Sequence, residues 1–478
     1  MESMWIVILP EMLLAAGGLL IFCAGAFWLR RPAKLLFSLA LIFPLGAIAA
    51  SAFAPMAGMT LSGMLDSEGY ARLFSTLIAS IAFITVLISF RYSRKRGFEN
   101  DEYYGILLFA TLGMDLVARA SHWLVFFLGL ELLSISLYVL IAIRKDDPFY
   151  GEAGLKYLIT GAMASAFLAF GIGLWYAGFG SLGVSTGIAG FPESADVPIM
   201  LTALALILVG IGFKISLVPF HLWTPDVYQG SPAPVTAFLA TGSKVAVLAF
   251  FIRLCFHLQD PLWSSFKAAL WIVAFLTLVV GTITALNQSD LKRLLAYSSV
   301  AQMGYLIMTL LAVKLESGLF ALAFYLIVYA AMDLGAFGAI ASLSEEFKDR
   351  DALEEYQGLG FSHPWTSAVL SFSLLSLAGL PPTAGFLGKV LLFRAVLQAH
   401  VVSLAVIAIA MVVLSIYLYM KVVVSLYMRP APVTAPLLPA VGFYEQLGGV
   451  LILLFLLWSG IAPSPLLSLI ARILPPGF

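Results

Sequence analysis

Charge is scarce in this chain: Lys, Arg, Asp and Glu make up 11% of 478 residues, and 26 basic residues balance 26 acidic ones. The basic residues are dispersed instead of clustered, which argues against nucleic-acid binding. Cysteine is nearly absent. Cys23 and Cys255 stand far apart within apolar segments, so the chain offers no disulfide framework, iron–sulfur pattern or zinc site. No Walker A loop, nucleophile elbow, or quinone, flavin or haem signature occurs, which argues against ATP-driven transport and against redox chemistry within this chain. The string GFGSLG at 178–183 fits G-x-G-x-x-G in letters, but it follows an apolar helix and not a strand, and reads as a flexible loop.

What is abundant is hydrocarbon. Apolar residues make up 62% of the chain and the mean hydropathy is +1.01, the composition of an all-α polytopic membrane protein. Apolar runs predict about 14 transmembrane helices, at 4–27, 33–54, 69–90, 103–120, 122–143, 154–178, 198–230, 233–257, 266–287, 291–313, 317–343, 364–399, 402–428 and 446–470. The connections after odd-numbered spans hold Arg30, Arg31, Lys34, Arg91, Arg94, Lys95, Arg96, Arg144, Lys145, Lys292, Arg293, Lys348, Arg350 and Arg429, about twice the count on the other side. That bias predicts both termini away from the cytoplasm. Glu2 stands where a secretory signal carries basic residues, so the first apolar run is expected to be a retained span.

Spans 7 and 12, at 198–230 and 364–399, are too long for one straight crossing at 1.5 Å per residue. Each carries proline at its middle, Pro219 in one and Pro381 with Pro382 in the other, and proline removes a backbone donor. Both are expected to break into half-helices, with Thr224 capping before Pro225 in one and Thr383 capping the restart of the other. Five crossings separate the two, so they run in opposite directions, which suggests two inverted five-helix repeats, spans 4 to 8 and 9 to 13. The corresponding limits are an N-terminal segment 1–102, repeats 103–257 and 258–428, and a C-terminal helix 429–478.

Into these apolar spans the sequence places Glu131, Lys214, Lys244 and Lys389. Each costs roughly 2.5 to 3.5 kcal/mol at a helix centre, so a structural origin alone is a poor account of all four. A desolvated lysine loses proton affinity and regains it beside a carboxylate, which suits it to proton transfer. Glu131 and Lys214 form the natural opposite pair, while Lys244 and Lys389 lack a partner in their own spans. Asp115 and Arg119, four apart, read as a local ion pair. Asp333 and His221 are further proton-handling candidates against a hydrogen-bonded structural role. The charged stretch at 342–364 reads as a solvated surface helix that can touch a partner subunit.

The strings FLGLELLSISLYVL, HLWTPDVYQGSPAPVTAFLATGSKVAVLAF, LKRLLAYSSVAQMGY and LSLAGLPPTAGFLGKVLLF closely resemble, in order and spacing, the antiporter-like membrane subunits of respiratory complex I. Within them the chain resembles the subunit N family of bacterial NADH-quinone oxidoreductase. Lys389 sits where subunit M is expected to carry a glutamate, and a lateral-helix extension like that of subunit L is lacking. The resemblance implies proton entry around Glu131, Lys214 and Lys244, a polar axis that includes His221, Gln302 and Asp333, and exit by way of Lys389. It further implies no cofactor in this chain, with NADH, FMN, iron–sulfur clusters and quinone in partner subunits. The implied neighbours are subunit M and the small subunit K, in a bacterial inner membrane. Gln302 stands where relatives often have histidine, and Asp115 and Asp333 where uncharged residues are expected. A sodium/proton antiporter subunit, a membrane-bound hydrogenase subunit and a passive membrane scaffold are the competing readings.

Overall fold

A computed structural model describes residues 7–27, 33–53, 63–144, 146–184, 196–344, 349–430 and 441–474. Glu2, Arg30, Arg31, Lys145 and Lys348 lie outside the described residues. The order of elements is α1 (Leu9–Phe27), α2 (Ala33–Phe53), α3 (Gly69–Lys95), α4 (Asp101–Arg119), α5 (Trp123–Ile141), α6 (Pro148–Phe179), α7 (Val197–Lys214) and α8 (Trp223–Gln229). Then come α9 (Ala233–His257), α10 (Leu262–Leu286), α11 (Leu291–Leu310), α12 (Glu316–Leu343), α13 (Pro364–Ala378), α14 (Ala384–Gln398), α15 (Val402–Met428), α16 (Phe443–Ile461) and α17 (Ser464–Ile473). Among the described residues, 11 helices are long and apolar enough to span a membrane by themselves. Paired half-helices and the more polar α4 and α11 complete the series of crossings.

Local chemistry starts and stops these helices. Asp147 accepts from the Phe149 amide at 3.1 Å to open α6, Pro148 takes the first turn, and Gly180 ends it in the left-handed region. Gly180 is thus a helix end, and Leu182 and Val184 bond to Trp123 and Ser121. The GFGSLG segment is therefore braced against the start of α5 and is not a free loop. The core lies along α9 and α12, whose most apolar windows are 100% and 89% buried against 28–61% for the other spans. An all-apolar helix belongs inside a bundle, and these two form its axis.

Both long spans break as expected. The first half-helix of span 7 ends at Lys214, Pro219 lies in the turn, and α8 resumes at Trp223. In span 12, Pro381 and Pro382 separate α13 from α14. Gly379 closes α13 with φ of 80°, its amide bonding Leu375 and Ser376 carbonyls, and the Thr383 hydroxyl accepts from the Phe386 amide at 3.4 Å. Thr224 differs from expectation: α8 begins at Trp223, two residues before Pro225, and the buried Thr224 hydroxyl caps nothing. One feature was not anticipated, a π turn at Leu239–Ser243 immediately before Lys244.

The described residues of the 342–364 stretch form no continuous surface helix, only short helical turns at Leu353–Tyr356 and Leu359–Ser362. Among its described residues Asp349 is buried, accepting from Arg96 and Tyr92, each at 2.7 Å, and from Lys292. Arg96 also donates to Tyr150 at 3.0 Å, and Lys292 to the Ser231 carbonyl at 3.0 Å. Asp349 therefore ties α3, α6, α11 and the α8–α9 turn together. On the opposite side, Arg119 bonds Glu11 at 2.6 Å and stands 4.0 Å from Asp115, so its main partner comes from α1 and not from the residue one turn away. Arg253, at the end of α9, pairs there with Asp66 at 3.0 Å.

Candidate functional site

Lys214 is the last residue of α7, where the chain leaves the helix, and is fully buried. Its Nζ donates to Ser134 Oγ at 2.7 Å and lies 5.1 Å from the centre of the Tyr157 ring and 5.6 Å from that of Tyr138. Such aromatic faces stabilise a cation without neutralising it. Glu131 sits one turn from Ser134 on α5, and its carboxylate accepts from Ser165 Oγ of α6 at 2.5 Å. No direct ion pair joins Glu131 to Lys214. Serine hydroxyls engage each of them, Ser165 donating to Glu131 and Ser134 accepting from Lys214.

Lys244 follows the π turn of α9. Its Nζ donates to Ser299 Oγ at 2.6 Å, and that hydroxyl lies 2.6 Å from Tyr329 OH, which donates to the Ala240 carbonyl at 3.1 Å. Asp333, one turn beyond Tyr329 on α12, is buried beside this group, and its Oδ2 has no hydrogen-bond partner. The partner that Lys244 lacks in its own span comes from the neighbouring axial helix, within electrostatic reach. Lys389 is placed differently: its Nζ donates to the carbonyls of Leu377 at 2.7 Å and Ala378 at 3.1 Å, the final residues of α13. Terminal carbonyls have no partner inside their own helix and carry its negative dipole end, so they hold a cation well.

Gln302 connects these centres. Its amide nitrogen donates to the same Leu377 carbonyl at 3.3 Å and to Tyr419 OH at 3.2 Å, while its oxygen accepts from Tyr325 at 2.5 Å. Tyr419 in turn meets Ser298, the neighbour of Ser299. In the chain between Lys214 and Lys244, the buried atoms Ser216 Oγ, His221 Nδ1, Thr224 Oγ1 and Tyr228 OH have no hydrogen-bond partner among the described residues, and the Tyr228 ring centre lies 5.5 Å from Lys244 Nζ. Pro219 shapes this region by holding the backbone out of helix, whereas Pro381 and Pro382 expose the carbonyl end that Lys389 caps.

The serines and tyrosines of this path escaped the charge-based reading of the sequence. ELLS at 131–134 and YSSVAQ at 297–302 contain the signal, since hydroxyls and amides three or four residues apart share a helix face. Among the described residues, no group of three or more His, Cys, Asp or Glu is arranged to hold a metal.

Comparison with known proteins agrees with this arrangement. Residues 120–415 match the family model described as NADH:quinone oxidoreductase/Mrp antiporter, TM. The chain is 44% identical over 439 residues to NADH-quinone oxidoreductase subunit N 1 of Solidesulfovibrio magneticus, covering 91% of each. It is 44% identical over 408 residues to subunit N of Geobacter metallireducens, covering 85% of each. A chain of respiratory complex I from Thermus thermophilus superposes with a TM-score of 0.83 at 32% identity, over 96% of this chain and 98% of that one. The Mrp complex of a Dietzia species shares the fold, with a TM-score of 0.85 at 18% identity over 99% and 97% of the two chains. The chain with its interrupted crossings and buried lysines thus belongs to the NADH:quinone oxidoreductase/Mrp antiporter membrane family, and within it to the subunit N family of NADH-quinone oxidoreductases.

Proposed function

We propose that this chain translocates protons as a non-redox membrane-arm subunit of a bacterial NADH:quinone oxidoreductase. The observation that carries the reading is the set of three buried lysines, each hydrogen-bonded to a polar partner on another helix or half-helix: Ser134, Ser299 and the Leu377 carbonyl. Protons enter near Glu131 and Lys214, cross the polar region at His221, pass Lys244 with Asp333, and leave through Lys389. A serine hydroxyl both donates and accepts, so Ser134 and Ser299 can hand on a proton without becoming charged. Leu377 and Ala378 offer only acceptors, so both contacts of Lys389 are donated by its side-chain nitrogen and are broken when α13 and α14 shift. Gln302 orders this junction and does not titrate.

Moving one charge across 100 mV takes about 2.3 kcal/mol, comparable with a change of one to two pKa units. Repositioning one buried charge near Lys214 is therefore a sufficient stroke. In this reading the side holding Asp349 and Lys292 faces the cytoplasm, the termini face away, and residues 103–257 and 258–428 form the entry and exit halves. Subunits M and K are the neighbours, while NADH, FMN, iron–sulfur clusters and quinone act in partner subunits. Mass spectrometry of what copurifies with the tagged chain in mild detergent tests this assignment. Flavin- and iron–sulfur-bearing NADH dehydrogenase subunits support it, and sodium/proton antiporter subunits or hydrogenase subunits overturn it.

A further inference from the structure

Glu11 of α1 and Asp115 of α4 have no part in the lysine path, yet they are 7% and 1% exposed beside one guanidinium. The NH1 nitrogen of Arg119 lies 2.6 Å from Glu11 Oε1 and 4.0 Å from Asp115 Oδ2, the second distance too long for a hydrogen bond. Its other nitrogens are taken: Nε donates to the Asp66 carbonyl at 3.0 Å and NH2 to the Val7 carbonyl at 2.9 Å. Both carboxyl oxygens of Asp115 are therefore left without a hydrogen-bond partner among the described residues, and so is Glu11 Oε2. The two carboxyl groups are close enough to act on one another directly.

Neighbouring charges are committed elsewhere. Arg253 of α9 pairs with Asp66 at 3.0 Å, and Glu68 faces that pair. Arg72 of α3 donates to the Ser51 and Ala52 carbonyls at the end of α2, at 2.9 and 2.8 Å. The Ser75 hydroxyl, which lies near Asp115, is paired with Ser51 Oγ at 2.9 Å. One cation thus stands against two carboxyl groups in the interior. A buried carboxylate without a donor is costly, and a second one beside it raises the cost further. A single proton removes the excess charge and turns one of the unpartnered acceptors into a donor for the next.

We propose that Glu11 and Asp115 form a proton-binding site separate from the lysine path, holding one proton between them, and that this proton clasps α1 to α4. With the proton in place, Asp115 donates to Glu11 Oε2 and Arg119 balances the one charge that remains. Without it, like charges on the two helices repel, and α1 loosens from the bundle while the lysine path keeps its own contacts.

The test uses the full chain purified in mild detergent at neutral pH. Infrared difference spectra, in H2O and in D2O, compare the parent with Asp115→Asn and with Glu11→Gln. Each substitution is expected to remove the C=O band of one protonated carboxyl per chain, because Arg119 neutralises whichever carboxylate is left. Asp115→Asn should melt at or above the parental temperature, since its amide supplies the donor that the protonated acid supplies. As pH is raised, hydrogen-exchange protection factors along Leu9–Phe27 should fall in the parent and hold in Asp115→Asn. Loss of ionised carboxylate bands in both variants, with the protonated band untouched, overturns the proposal. So do parental carboxylate bands that move when sodium replaces potassium, which would mark a metal-cation site, and α1 protection with the same pH dependence in parent and variant.

Discussion

Asn at position 349 preserves the shape of the side chain and removes its charge. Arg96 and Lys292, each 1% exposed in the side chain, would then face each other without a counter-charge. Breaking a buried pair in this way costs about 3 to 5 kcal/mol. The ionisation of Asp349 gives a second measure. Burial pushes its carboxyl up, but Lys292 and Arg96 outweigh burial and hold it at about 2. Against an ordinary value of 3.8 this corresponds to roughly 2 to 3 kcal/mol of stability. Both perturbations neutralise the same carboxylate and leave Arg96 and Lys292 without a counter-charge, so the two figures bracket the expected cost. Because the folded value is depressed, the contribution is complete above pH ~4 and is lost as pH falls toward ~2. Melting of the purified protein in detergent should therefore show Asp349→Asn destabilised at neutral pH, with a flatter acid limb than the parent. Lys292→Met in the same background should cost less than it does alone, since the pair is coupled. Additive effects within about 0.5 kcal/mol, or an unchanged acid limb, would refute the reasoning.

Three further outcomes follow from the geometry. Gly385→Ala drives a methyl into the Ser376 carbonyl, so α13 and α14 must separate; a loss of roughly 1 to 3 kcal/mol and weaker pumping are expected, and an unaltered melt contradicts this. Arg119→Met strands Glu11 and Asp115 in the interior and should cost about 3 kcal/mol, with Glu11→Gln restoring part of it; no rescue in melting curves would refute the shared-arginine account. Ser299→Ala removes the hydroxyl between Lys244 and Tyr329 and should slow proton uptake severalfold in inverted vesicles with the complex still assembled; an unchanged rate removes Ser299 from the path.

The broken crossings were legible because proline acts locally. Pro219, Pro381 and Pro382 interrupt backbone bonding wherever they fall within a helix, and Thr383 caps the restart through its immediate neighbours. The buried lysines were legible because charge in an apolar run is costly whatever surrounds it. Asp349 was misread for the opposite reason: within SEEFKDRD it looks like one solvated charge among many, and its burial depends on Arg96 and Lys292, each more than 50 residues away. Glu11 is similar, since its partner Arg119 is 108 positions distant. In place of a direct contact between Glu131 and Lys214, each meets a hydroxyl from another helix, Ser165 and Ser134, and contacts between helices are not written in local spacing. The π turn before Lys244 has no local signature that separates it from ordinary helix.

The central claim is that protons pass through Lys244 and its hydroxyl partners, driven by chemistry in other subunits. The most direct measurement compares NADH-driven proton uptake by inverted membrane vesicles carrying the parent or Lys244→Met, with subunit content and NADH oxidation measured in parallel. The account predicts a severe fall in protons moved per NADH oxidised in an intact complex, with Lys244→Arg failing likewise because guanidinium does not release its proton. An intact Lys244→Met complex that pumps at the parental ratio would contradict it and leave the buried charges with a packing role alone.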